Sequence, residues 1–263
     1  MDRHAAARIV VEISDPALLA LQVAVAQGHV VSESLEVSID GRGVRGRWVG
    51  AEHGTRIHVV DARPGIMVLD YSARASGPCA PSVATEADLL RYLRPSRYCE
   101  SDSLAPTARA EFGGLAGADL LAAVSSWVGT RLTYVPGSSL PTDGAVRTLL
   151  ARQGVCRDYA HLVVALLRAL HVPARVAAVY APGLDPMDFH AVAEAYVEGD
   201  WYVVDATTLA PRGTLLRIAT GRDASDTAFL SAYGGVATLL ELEVSAVADT
   251  LPGDDVRDLA RLC

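Results

Sequence analysis

The stretch that most constrains this chain opens at Gly154 and closes at Asp205. It begins Gly154-Val155-Cys156-Arg157-Asp158, and Val163, Val164, Leu166, Leu167 and Leu170 follow at spacings of three and four. That period demands a helix with one buried face, and Cys156 falls at its start. Helix starts expose unpaired backbone N–H groups and the positive end of the dipole, which favour a thiolate and can receive a developing oxyanion. After Val172-Pro173 the pattern switches to alternation over Ala174–Tyr180 and Phe189–Val197, and Glu198-Gly199-Asp200 turns the chain into a further strand, Trp201–Asp205. The last two strands read as an antiparallel hairpin with His190 and Asp205 at its open end, where the side chains can meet.

A nucleophile, a base and a carboxylate therefore arrive in that order. A thiol becomes a strong nucleophile when an imidazole takes its proton, and the imidazole needs an acceptor on its other nitrogen to fix tautomer and orientation. Cys156, His190 and Asp205 are the candidate catalytic residues. Such a site forms a thioester acyl-enzyme at a carbonyl carbon; water then gives hydrolysis and an amine gives acyl transfer. This chemistry requires no metal or organic cofactor, and none is expected.

Other residues in the stretch carry plainer readings. Asp158 complements the helix dipole, and His161, five positions after Cys156, lies off the face Cys156 presents and reads as packing or capping. A zinc set of Cys156, His161 and His190 would lack a fourth ligand at standard spacing. The Cys156 N–H is available as one oxyanion donor by position, with Gln153 or Trp127 as candidates for the second. Trp201 and Tyr196 read as hairpin packing. Cys79, Cys99 and Cys263 form no CxxC spacing with Cys156 or each other and read as structural thiols.

Toward the N-terminus the chain reads as β-rich. Arg8–Ile13, Leu35–Ile39 and Val44–Val49 alternate, and Arg56–Asp61 with Ile66–Arg74 read as a hairpin around Ala62-Arg63-Pro64-Gly65. Only Asp15–Gln27 suggests a helix in this half, with Leu18, Leu21 and Val25 on its buried side. An antiparallel β-sandwich is the simplest packing. The Pro- and Ser-rich stretch Gly77–Thr107 reads as an irregular connection crossed by a short helix at Glu86–Tyr92, and it sets the expected domain boundary at 85/86. Beyond it, helices are expected over Leu115–Leu132 and over Asp143–Arg152, the latter capped by Thr142 or Asp143. A strand is expected at Val236–Val247, and the acidic tail around Asp249, Asp254, Asp255 and Asp258 reads as a solvated surface.

The runs GVCRDYAHLVVALLRALHVPAR and DFHAVAEAYVEGDWYVVDAT resemble the core of the transglutaminase-like superfamily, with its Cys, His and Asp in the same order. LRYLRPSRYCESD at Leu90–Asp102 and the β-rich N-terminus look like the bacterial members that carry an added N-terminal β-domain. The resemblance implies an α+β fold: a papain-like core, with Cys on the central helix and His and Asp on adjacent strands, preceded by an antiparallel β-rich domain. It assigns the triad to Cys156, His190 and Asp205. One departure is that the family's HAW pattern is here His190-Ala191-Val192, which leaves the triad intact and bears on the shape of the cleft.

The superfamily includes transglutaminases, proteases, peptide N-glycanases and members without activity. The resemblance therefore implies amide chemistry on a peptide or protein, hydrolytic or acyl-transferring, with a non-enzymatic peptide-binding module on the same fold as the alternative. Nothing in the sequence marks an amine-acceptor site, which favours hydrolysis. The formal net charge of -8 argues against nucleic acid and anionic membrane as partners. The opening Met1-Asp2-Arg3-His4 leads into a strand rather than a signal peptide, so a cytoplasmic location is the expectation.

Overall fold

The computed structural model describes residues 1–28, 30–77 and 83–262; Cys79 and Cys263 lie outside them. The first half is built of strands β1 (Asp2–Ile13), β2 (Ala17–Leu21), β3 (Val30–Ile39), β4 (Arg42–Gly43), β5 (Arg47–Gly50), β6 (Arg56–Ala62) and β7 (Gly65–Ser76). Strict alternation decides which way each strand faces: Ala5, Ala7, Ile9, Val11 and Ile13 of β1 are buried, as are Met67, Leu69, Tyr71, Ala73 and Ala75 of β7. The inner faces of two antiparallel sheets meet in one core, the packing of a sandwich.

Two expectations for this half are corrected. Residues 15–27 do not form a helix. Ala17, Leu19 and Leu21 are buried at a period of two in β2, which pairs with β6, and Val23–Val25 continue as buried irregular chain. A short apolar run fits either period, and here pairing with β6 decides. Likewise β6 and β7 are not hairpin partners. The turn at 62–65 is a corner: β6 joins the sheet β14-β2-β6-β5, and β7 joins β15-β1-β7-β3-β4.

The middle of the chain supplies helices α1 (Glu86–Arg91), α2 (Ser101–Phe112) and α3 (Gly117–Arg131), strand β8 (Thr133–Tyr134), helix α4 (Ala145–Ala151), strand β9 (Gln153–Gly154) and helix α5 (Cys156–Ala169). Helix α1 starts at a capping box between Thr85 and Asp88. Helix α2 was not expected, because Pro106 and the serines around it read as loop. Leu104, Ala108 and Phe112 nevertheless form a buried stripe at a spacing of four, and packing against α5 outweighs the backbone bond lost at Pro106. Helix α4 follows Gly144 with no side-chain cap; Asp143 instead accepts the Leu140 N–H.

Strands β10 (Ala174–Tyr180), β11 (Phe189–Val197), β12 (Asp200–Val204) and β13 (Leu216–Gly221) complete a mixed α+β fold with the sheet order β12-β11-β10-β13. Helix α5 is buried along its length and packs on this sheet, with α2, α3 and α4 around it. The short helix α6 (Ala224–Thr227) leads to β14 (Leu230–Tyr233) and β15 (Ala237–Ala248). Strand β15 pairs with β1 from Arg3↔Ala248 to Ile13↔Ala237, and β14 pairs with β2, so the last strands complete the sheets that the first residues begin.

A buried charge cluster joins the two halves. Glu194 of β11 receives Arg175 Nε at 2.9 Å and Arg217 Nη1 at 2.6 Å, and the Arg175 guanidinium lies 3.9 Å from the Trp201 ring centroid. His53, ahead of β6, reaches this cluster through Nδ1, 3.2 Å from Arg175 Nη1, and bonds the Tyr92 hydroxyl at 2.8 Å through Nε2. Burial, then the Arg175 charge, lowers the His53 pKa to about 4, so its ring docks uncharged. The same strand that carries Glu194 carries His190. No single helix among the described residues is long and apolar enough to cross a membrane.

Candidate active site

Strands β8 and β9 run parallel and bring Tyr134 beside Gly154, and the chain then enters α5 at Cys156. Gly154 is required by close approach, since a Cβ there would lie 2.6 Å from the Asp158 Cβ. Asp158, 1% exposed, accepts the Val155 N–H at 2.8 Å and the Ser139 hydroxyl at 2.9 Å. Arg157 donates to Leu140 O at 2.8 Å, so the loop over residues 136–143 is fastened to the first turn of the helix. Asp158 thus has the end-of-helix role expected of it, and it also sets the wall beside Cys156.

Beyond the last paired residues of the β11–β12 hairpin, Ala193↔Val204, His190 and Asp205 face each other. His190 Nε2 lies 2.9 Å from Asp205 Oδ2, with both side chains almost wholly buried. The other carboxylate oxygen accepts the Thr207 N–H at 2.9 Å and its hydroxyl at 2.7 Å. Ser125 of α3 donates to the Asp205 carbonyl at 3.2 Å, which pins the backbone on the other side. Thr207 and Ser125 escaped the sequence reading. A threonine two residues past an aspartate signals a local turn, but nothing local reports a serine eighty residues away.

The electrostatics follow from this burial. Burial alone would lower the His190 pKa, but the charge and hydrogen bond of Asp205, and then the neighbouring Cys156, raise it to about 10. Burial likewise opposes the Asp205 charge, yet His190 and the two Thr207 donors outweigh it and hold the carboxyl below its ordinary range. His190 Nδ1 is buried without a hydrogen-bond partner at ordinary geometry, while the Cys156 side chain is near enough to act on the ring. An imidazolium beside a sulfur stabilises thiolate, so the arrangement is suited to nucleophilic attack on a carbonyl carbon. By contrast Cys99 is fully buried, and burial pushes its thiol up to about 12.

The remaining candidates separate from this group. His161 is buried, stacks on Tyr98 with centroids 5.3 Å apart, and accepts the Ala224 N–H at 3.1 Å through Nε2; burial lowers its pKa to about 3. Trp127 donates its indole N–H to Glu111 at 2.9 Å. Tyr196 and Trp201 pack edge to face across the hairpin, 5.4 Å between centroids. Val192, 1% exposed, sits in an apolar cluster with Ala177, Val179, Val203 and Leu262, so the chain's last described residue packs behind the strand that bears His190.

Comparison with known proteins gives the same outline. Residues 108–206 match the sequence model of the Transglutaminase-like superfamily. The crystal structure of a "Putative Cysteine Protease" from Cytophaga hutchinsonii superimposes with a TM-score of 0.88 at 32% identity, covering 98% of this chain and 96% of that one. An uncharacterised protein of Mycobacterium leprae is 28% identical over 122 residues, 43% of this chain and 44% of that protein. One from Mycobacterium tuberculosis is 38% identical over 74 residues, 26% and 24% respectively. The chain thus spans less than half the length of these curated relatives.

Proposed function

The chain belongs to the transglutaminase-like superfamily, and we propose that it is a cysteine-dependent enzyme that opens amide bonds of a peptide or protein through a thioester on Cys156. The observation that carries this reading is the buried His190–Asp205 pair at 2.9 Å, next to a cysteine that begins a helix. Asp205 holds the ring by Nε2, which leaves Nδ1 for the thiol proton. The Cys156 thiolate attacks the carbonyl carbon, the C–N bond breaks as His190 returns the proton to the leaving amine, and the acyl group stays on sulfur. Water, activated by the same imidazole, then releases the acid; an amine entering instead gives a transferred amide.

Trapping tests this reading directly. The chain is incubated with a peptide library, quenched in acid, and the peptide carrying Cys156 is weighed by mass spectrometry. An acyl adduct on wild-type Cys156 that is missing from Cys156→Ala is the expected result, and its mass names the acyl donor. Iodoacetamide labelling of Cys156 no faster than that of buried Cys99 would sink the proposal and favour a peptide-binding module.

A further inference from the structure

Thioester formation at Cys156, the function proposed above and the one on which this inference rests, puts negative charge on the carbonyl oxygen. A second donor beside the Cys156 N–H is then worth about 10²–10³ in rate. The two side chains expected to supply that donor are poorly set for it. The Trp127 N–H is bound to Glu111, and its ring is packed edge to face on Phe112, 5.7 Å between centroids. Gln153 is exposed on β9, in register with Thr133.

Tyr134 is held at the right place by backbone on both sides. Thr133 N donates to Arg152 O at 2.9 Å and Val135 N donates to Gly154 O at 3.0 Å, so Tyr134 is paired with the residue two positions before Cys156. Its ring lies 6.0 Å from that of Tyr159, inclined at 44°. Tyr159 follows Cys156 by three positions, on the same side of α5, so the Tyr134 ring stands against the first turn of the helix. At 39% exposure it still borders open space, as a residue touching an incoming substrate must. Burial first, then the Cys156 side chain, pushes the phenol up to about 12, so it stays a proton donor wherever a thiolate is present.

We propose that Tyr134 is a catalytic residue, the side-chain donor that completes the oxyanion hole with the Cys156 N–H. As sulfur bonds to the carbonyl carbon, the C=O π pair moves to oxygen, and that oxygen accepts from both donors. The pair then returns, the C–N bond breaks, and the imidazolium of His190 protonates the amine. Tyr134 keeps its own proton throughout.

The experiment compares two reactions of Cys156 in the full chain, wild type against Tyr134→Phe. Acylation by p-nitrophenyl acetate passes through an oxyanion; alkylation by iodoacetamide does not. The expected result is an acylation rate lower by about 10- to 100-fold with alkylation changed by less than about twofold, the latter also reporting an intact site. Unchanged acylation overturns the proposal and leaves the thioester function standing. Equal slowing of both reactions also overturns it, because Tyr134 would then be acting on the thiol. A wild type that is alkylated but never acylated at Cys156 overturns the thioester function and this role together.

Discussion

Asp205 Oδ2 accepts His190 Nε2 at 2.9 Å in a pocket closed to water, and Thr207 saturates the other oxygen of the same carboxylate. The carboxylate therefore has one orientation, and the imidazole inherits it. Removing its charge while keeping its shape isolates that effect. Asp205→Asn should cut acyl-enzyme formation by about 10²–10⁴-fold. It should also move the pH at which Cys156 alkylates upward, since the imidazolium that stabilises the thiolate is lost. Alkylation rate against pH in the two proteins checks both.

The pair also links stability to pH. The His190 pKa is about 10 when folded, against about 6.5 for a free imidazole. Its stabilisation is complete below the lower value and fades as pH rises through the higher one. The urea midpoint of wild type minus that of His190→Gln should therefore narrow between about pH 6.5 and 10. A gap that widens over that range would contradict the assignment.

Glu194 is a structural counterpart on the same strand. Its charge is opposed by burial but held by Arg175 and Arg217, which lower its pKa to about 2. Glu194→Gln leaves two buried guanidiniums facing a neutral amide. The expected loss is about 3–5 kcal/mol in urea unfolding at neutral pH. Acidification should weaken the wild type selectively as the pH drops from the ordinary carboxyl value toward that lowered one.

Asp158 ties the Val155 N–H and Ser139 together, and Gly154 makes room for it. Asp158→Ala leaves buried donors unpaired and should cost about 1–3 kcal/mol, read as a lowered melting temperature. Gly154→Ala forces its Cβ against Asp158 and should displace Cys156. Cys156 labelling by iodoacetamide slowed by more than about tenfold is the expected sign.

What was legible in the sequence was local. The spacing of Val163, Leu166, Leu167 and Leu170 set α5, and alternation set β10, β11 and β12, because side-chain direction follows from backbone period alone. Helix α2 was hidden by Pro106, whose local penalty says nothing of the α5 face that Leu104, Ala108 and Phe112 cover.

The sequence alone determined the order of cysteine, histidine and aspartate, and with it the helix start and hairpin end on which they lie. Only the tertiary structure decided who their neighbours are: Ser125 against the Asp205 carbonyl, Tyr134 against the first turn of α5, β15 against β1, and β7 across a corner from β6. The physical reason is range. Periodicity is enforced by each residue's own backbone, whereas pairing between distant strands and helices is chosen by which apolar faces can be buried together once the chain has closed.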